Sequence, residues 1–210
     1  MKHDEAFELV GGLSAPSKMP CWGYSLSTKS CRIGSKMHCI KNSVCSVCYA
    51  NSGRYAFNSV KIAHIKRETS LKNPLWVDAM VTLLKNQKYF RWHDSGDLQG
   101  MWHLKNIIEV ARRTPNTKHW IPTKEYNLVN QYIKEGGTIP ENLIIRFSAM
   151  YINKPAPKSL AKKLGVNTSE VSNTQNFTCP APLQNNYCGN CRDCWDKSIF
   201  NVIYKYHKPG

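Results

Sequence analysis

Eight of the nine cysteines stand in two groups of four, one near each end of the chain: Cys31, Cys39, Cys45 and Cys48, then Cys179, Cys188, Cys191 and Cys194. Four thiols complete a tetrahedral metal site or hold a cubane iron–sulfur cluster. A fold for this chain must therefore carry two cysteine loops to places where their thiols can meet. The first residues, MKHDEAFELVGG, bring acids early and no apolar stretch, so no secretory signal is expected. Nine cysteines without such a signal argue for a reducing compartment and for metal ligation over disulfides. Cys21 reads as a small buried hydrophobe, with a spare ligand as the alternative.

A length of 210 residues suits one domain spanning 1–210. No run of apolar residues is long enough for a membrane span. Trp22 to Leu26 reads as a strand leading into the first cysteine loop. Asn58 to Leu71 reads as a helix with Val60, Ala63 and Ile62 or Ile65 inward, and Val77, Met80, Val81 and Leu84 mark another after Pro74. Tyr89 to His93 reads as a strand ending in the turn Asp94-Ser95-Gly96-Asp97. A helix over Gln99 to Arg113, a strand over Lys118 to Ile121 stopped by Pro122, and a helix over Asn127 to Lys134 ended by Gly136-Gly137 follow. Leu143 to Phe147 and Ile199 to Tyr206 are the last strands. This alternation predicts an α/β fold, a partial open βα-barrel with about five or six mainly parallel strands and cysteine-rich loops. In such folds chemistry gathers at the C-terminal ends of the strands.

The C-terminal group has the spacing C-x8-C-x2-C-x2-C. Successive short gaps let the backbone wrap a compact centre, and they favour a [4Fe–4S] cluster over the two separated pairs of a zinc knuckle. Zinc is the alternative. The N-terminal group is C-x7-C-x5-C-x2-C, where His38 is an alternative ligand. A site using three of its four thiols would leave one iron open to a small molecule. Trp22, Tyr49 and Trp195, beside the cysteines, are expected to keep water from the metal.

Between the groups, Phe90-Arg91-Trp92-His93-Asp94-Ser95-Gly96-Asp97 is the densest polar cluster. Strand alternation puts Arg91 and His93 on one face and Phe90 and Trp92 on the other. An inward Arg and His are costly without a ligand or acidic partners. Arg91, His93, Asp94 and Asp97 are therefore candidate catalytic residues around a small-molecule pocket. The alternative is a local His93–Asp94 pair with Asp97 capping the next helix. Lys124 and Glu125 read as an exposed turn pair. The formal charge is +15, and two clusters of charge about −2 each would leave roughly +11. That balance favours a polyanionic partner such as nucleic acid.

SKMPCWGYSLS, CSVCYANSGRYAF, FRWHDSGDLQ, WIPTKEYN and CGNCRDCWD resemble the bacteriophage gene product 88 family, over about Ser17 to Tyr206. That family is distantly similar to radical S-adenosylmethionine enzymes. The resemblance implies a phage protein acting in the host cell cytoplasm. It also implies a partial βα-barrel, with Cys39, Cys45 and Cys48 holding a [4Fe–4S] cluster whose fourth iron binds S-adenosylmethionine. Ser95, Gly96 and Asp97 would contact that cofactor, and the second cysteine group would hold an auxiliary cluster. The chain departs from the usual C-x3-C-x2-C loop, having C-x5-C-x2-C with Cys31 upstream. A fourth thiol there would close the open iron and leave an electron carrier or redox sensor. A zinc-stapled basic module that binds nucleic acid or a host protein is the other non-enzymatic alternative.

Overall fold

The computed structural model describes residues 1–206. Six strands, β1 (Trp22–Tyr24), β2 (Tyr89–Trp92), β3 (Lys118–Thr123), β4 (Leu143–Ser148), β5 (Asn167–Ser172) and β6 (Asn201–Lys205), form one sheet in sequential order. Every neighbouring pair is parallel. The sheet winds in one direction, as a barrel does, but β1 and β6 do not pair and it stays open. Helices α1 (His3–Leu9), α2 (Arg32–His38), α3 (Asn58–Ser70), α4 (Trp76–Leu84), α5 (Met101–Arg113), α6 (Tyr126–Lys134) and α7 (Lys158–Leu164) complete the architecture. No helix among the described residues is long and apolar enough to cross a membrane.

The two faces of the sheet differ because strand side chains alternate. Tyr24, Phe90, Trp92, Ile121, Ile145 and Phe147 point to one face and pack with Met80, Leu104, Ile107 and Val129 of the helices in a single apolar core. Arg91, Trp120, Ile144 and Arg146 point the other way. No helix covers that second face. It is covered by the connection from β5 to β6, which carries the C-terminal cysteines. Within it Trp195 is buried, stacks edge-on against Tyr89 and Trp120, and donates its indole N–H to the Phe90 carbonyl at 2.9 Å.

Three local expectations are corrected. β3 continues through Pro122 to Thr123. Lys118 N donates to the Lys88 carbonyl and His119 N to Asn142, so even-numbered amides of β3 face β2. Pairing with β2 ends at Trp120, so the amide that Pro122 lacks has no partner strand waiting for it. β5, with the sequence NTSEVS, carries no apolar alternation to betray it and is a strand because β4 and β6 flank it. On α3 the inward residues are His64 and Arg67, while Ile62 and Ile65 are 54% and 62% exposed. This helix docks through polar contacts: Arg67 donates to the Gly12 carbonyl at 3.0 Å and to the Ser25 hydroxyl at 2.7 Å, so its buried side is polar.

Candidate functional site

The chain after β1 forms a roof over the C-terminal edge of the sheet. Ile33 N of α2 donates to Glu125 Oε1 at 3.1 Å, and Val44 N donates to the Met150 carbonyl at 2.9 Å. Glu125 is thus buried and tethers α2; it does not sit in an exposed turn. Within the roof Cys31, Cys45 and Cys48 come together. Burial, then the charges of Asp97, Cys48 and Cys45, push the Cys31 thiol up to about 12. Cys48 is raised by burial and feels Cys45 as well. Cys39 caps the C-terminal end of α2 and is exposed.

The C-terminal thiols gather on the sheet's second face. Cys179 feels the charge of Cys188, Cys188 that of Cys191, and Cys191 and Cys194 that of Cys179, each thiol being raised chiefly by burial. Cys194 is pushed up to about 12 and lies 3.2 Å from the Tyr204 hydroxyl. Cys21 joins this end of the molecule, where burial raises it to about 12 and Cys188 is among its neighbours. All nine cysteines are free thiols. As they stand, no three His, Cys, Asp or Glu side chains among the described residues are close enough to hold one metal ion. The thiols are gathered but not closed around a common point.

Two arginines adjoin the C-terminal thiols. Arg146 is fully buried and takes part in no ion pair. Its guanidinium donates to the carbonyls of Asp193 (2.6 Å), Ile199 (2.8 Å), Asp196 (2.9 Å), Cys194 (3.2 Å) and Thr168 (3.2 Å). It therefore pins the cysteine loop to β4. Arg91 lies over the Trp120 ring at 4.6 Å, donates to Met19 Sδ at 3.0 Å and to the Tyr49 hydroxyl at 3.3 Å, and leaves its buried Nε without a partner. Cys21, Cys188 and Cys194 all feel its charge. Tyr49 directly follows Cys48, so Arg91 stands between the two cysteine groups.

The polar cluster after β2 divides by function. The Asp94 carboxylate accepts from Tyr55 Oη at 2.9 Å and Ser14 Oγ at 3.0 Å, and its carbonyl accepts from the Tyr49 hydroxyl. Asp97 is buried and accepts from Thr123 Oγ1 (2.6 Å), Leu98 N (2.7 Å) and Lys124 N (2.9 Å). Its oxygens latch the β2 loop to the end of β3, and α5 begins at Gly100 with no side-chain cap. Burial raises the Asp97 carboxyl. Ser95 Oγ donates to the Leu26 carbonyl at 2.7 Å. Gly96 has φ +84° and a Cβ there would stand 2.6 Å from Leu26 Cβ, so only glycine fits.

His93 does not share the face of Arg91. Its φ of +54° breaks the strand alternation and turns the ring towards His103 of α5, centroid to centroid 5.3 Å. Both His93 ring nitrogens and His103 Nε2 are buried without partners. Burial lowers His93 well below the usual histidine range and His103 to about 3.

Of the sequence-derived candidates, the structure brings Arg91 and Asp94 to the junction of the two cysteine groups. It commits Ser95, Gly96 and Asp97 to holding the loop and puts His93 in the helix layer. Arg146, Tyr55 and Tyr204 were not anticipated. A lone arginine in the apolar strand LIIRFS was the available signal for Arg146, by the same cost of burial that singled out Arg91.

Neither curated proteins nor solved structures yield a match to this chain. Residues 2–197 match the family model described as Gene product 88, and the chain belongs to that family.

Proposed function

We propose that this is an iron–sulfur protein with a [4Fe–4S] centre at each cysteine group. Cys179, Cys188, Cys191 and Cys194 would hold one; Cys31, Cys45 and Cys48 would hold the other. The observation that carries the reading is the pair of guanidinium ions beside the C-terminal thiols. A buried cation held in no ion pair, as Arg146 is among the described residues, pays a desolvation cost of several kcal/mol. Four thiolates around a cluster would carry a net charge of about −2 and neutralise Arg146 and Arg91. Buried thiols pushed up to about 12, as at Cys31 and Cys194, stay protonated unless a metal drives the proton off.

Iron is favoured over zinc by the N-terminal group. A structural zinc takes four protein ligands, and Cys39 is exposed where Cys31, Cys45 and Cys48 are half-buried. Three thiolates instead leave one iron of a cubane cluster open. When bound, such a cluster would supply an electron at the roof of the sheet, beside the Tyr49 that Arg91 and Asp94 hold. An S-adenosylmethionine enzyme is the narrower form of this reading.

Metal and acid-labile sulfide counts on anaerobically purified protein test the proposal. The expected result is about eight iron and eight sulfide per chain with broad absorption near ~400 nm. A colourless protein holding zinc after iron supplementation, or no transition metal, would overturn it. Adding S-adenosylmethionine to the reduced protein tests the narrower form: an altered cluster spectrum supports it, and an unchanged spectrum leaves an electron carrier.

A further inference from the structure

No acidic residue occurs between Glu8 and Glu68, while nine Lys and Arg do. This segment supplies β1, α2, the turns around the N-terminal cysteines and most of α3. Lys29, Arg32, Lys36, Lys41 and Arg54 lie in the roof segment and Lys61 in the first turn of α3; all six are exposed, and none takes part in an ion pair among the described residues. The acids that reach this segment are already engaged: Asp94 is buried and accepts from Ser14 Oγ and Tyr55 Oη, and Asp97 is buried and accepts from Thr123 Oγ1 and Lys124 N. Glu125 is buried under α2 and accepts from Ile33 N, where it feels Arg32 and Lys36; Glu68 accepts from Ser27 N and Ser30 Oγ. A one-signed field over a surface of this kind attracts polyanions.

Two aromatic rings lie open among these cations. Phe57, at the start of α3, is 58% exposed, and Tyr49, beside Cys48, is 49% exposed. A cationic track with open aromatic faces is how single strands are held: phosphates meet the cations and unpaired bases stack on the rings. A duplex offers its phosphates but no free base faces.

We propose that the acid-free roof between Glu8 and Glu68 is a binding surface for single-stranded nucleic acid. Cations of α2 track the backbone, and bases stack on Phe57 and Tyr49. Tyr49 follows Cys48, so a base stacked there lies beside the N-terminal cysteine group. The surface itself does not depend on what the thiols hold, so loss of the iron–sulfur reading leaves this one standing.

Fluorescence polarisation with labelled DNA and RNA single strands and the matching duplex, across a salt series on the full chain as purified, tests this. Single strands should bind more tightly than duplex, with affinity falling by a log–log slope of about 0.7 per phosphate contacted. The triple variant Arg32→Glu, Lys36→Glu, Lys41→Glu should lose at least about tenfold, while Lys105→Glu, Lys134→Glu, Lys163→Glu on the helix layer should lose less than about twofold. Phe57→Ala should lose at least about fivefold for single strands with an unchanged salt slope. Circular dichroism and thermal midpoints check each fold, and the glutamine triple at the same three positions replaces the glutamate one if that is destabilised. Equal losses from the two triples would overturn the proposal. So would duplex bound as tightly as single strand, or no salt-dependent binding.

Discussion

Replacing Arg146 with methionine should release the C-terminal cysteine loop while leaving the helix layer intact. Methionine keeps most of the side-chain length and apolar volume but donates nothing. The carbonyls of Cys194 and Asp196 accept from no other group among the described residues; Asp196 is exposed and its carbonyl can turn to water, so Cys194 is the one orphaned. A buried orphan acceptor costs about 1–3 kcal/mol. Removing a buried cation returns part of this, and a net loss of about 1.5 kcal/mol is expected. For a chain of this size that is a fall in melting temperature of about 3–6 °C. Hydrogen exchange locates the effect: amides near Asp193 to Asp196 should lose protection more than those of α5. Arg146→Lys keeps the charge but has three donors for six carbonyls, and should lose about half as much. A methionine variant within about 0.5 kcal/mol of the parent, with unchanged exchange in the loop, would refute the view that this guanidinium pins the loop.

Acid should destabilise the chain through its buried histidines. His103 and His119 are lowered to about 3 and His93 well below its usual value, all by burial. Below the unfolded value of about 6.5 the unfolded chain takes up protons that the folded one refuses, so stability is present above that pH and is lost as pH falls. At pH 5 His103 and His119 each cost about 2 kcal/mol, and His93 adds a cost in the same direction. Raised carboxyls at Asp97 and Glu125 offset part of this. Urea midpoints between about pH 5 and 7 measure it, and a flat profile would contradict the burial of these rings. Gly96→Ala should cost about 2 kcal/mol or more through its positive φ and the contact with Leu26, read by chemical denaturation. Cys39→Ser should leave the iron content of anaerobically prepared protein unchanged, whereas Cys48→Ser should lower it; equal loss from both would restore Cys39 as a ligand.

Where a single interaction decides an element, the sequence showed it. α5 carries Leu104, Ile107, Ile108 and Ala111 at helical spacing, and all are buried as that spacing demands. β4 reads as an apolar run and is buried along most of its length. The failures share one cause. α3 and β5 bury polar residues against backbone groups supplied by distant segments, and no local pattern records those partners. His93 was misplaced because alternation assumes an extended backbone, and its own backbone leaves that region.

The sequence by itself determined the strand–helix alternation, the parallel sheet and the grouping of thiols, since periodicity and spacing act over a few residues. Tertiary structure alone decided how far each thiol is buried: Cys39, at the end of α2, is exposed, while Cys31, from before that helix, is half-buried and feels Cys48 and Cys45. It also decided that the β5–β6 connection lies on the sheet's uncovered face, because only there does Arg146 find the carbonyls that satisfy a buried cation.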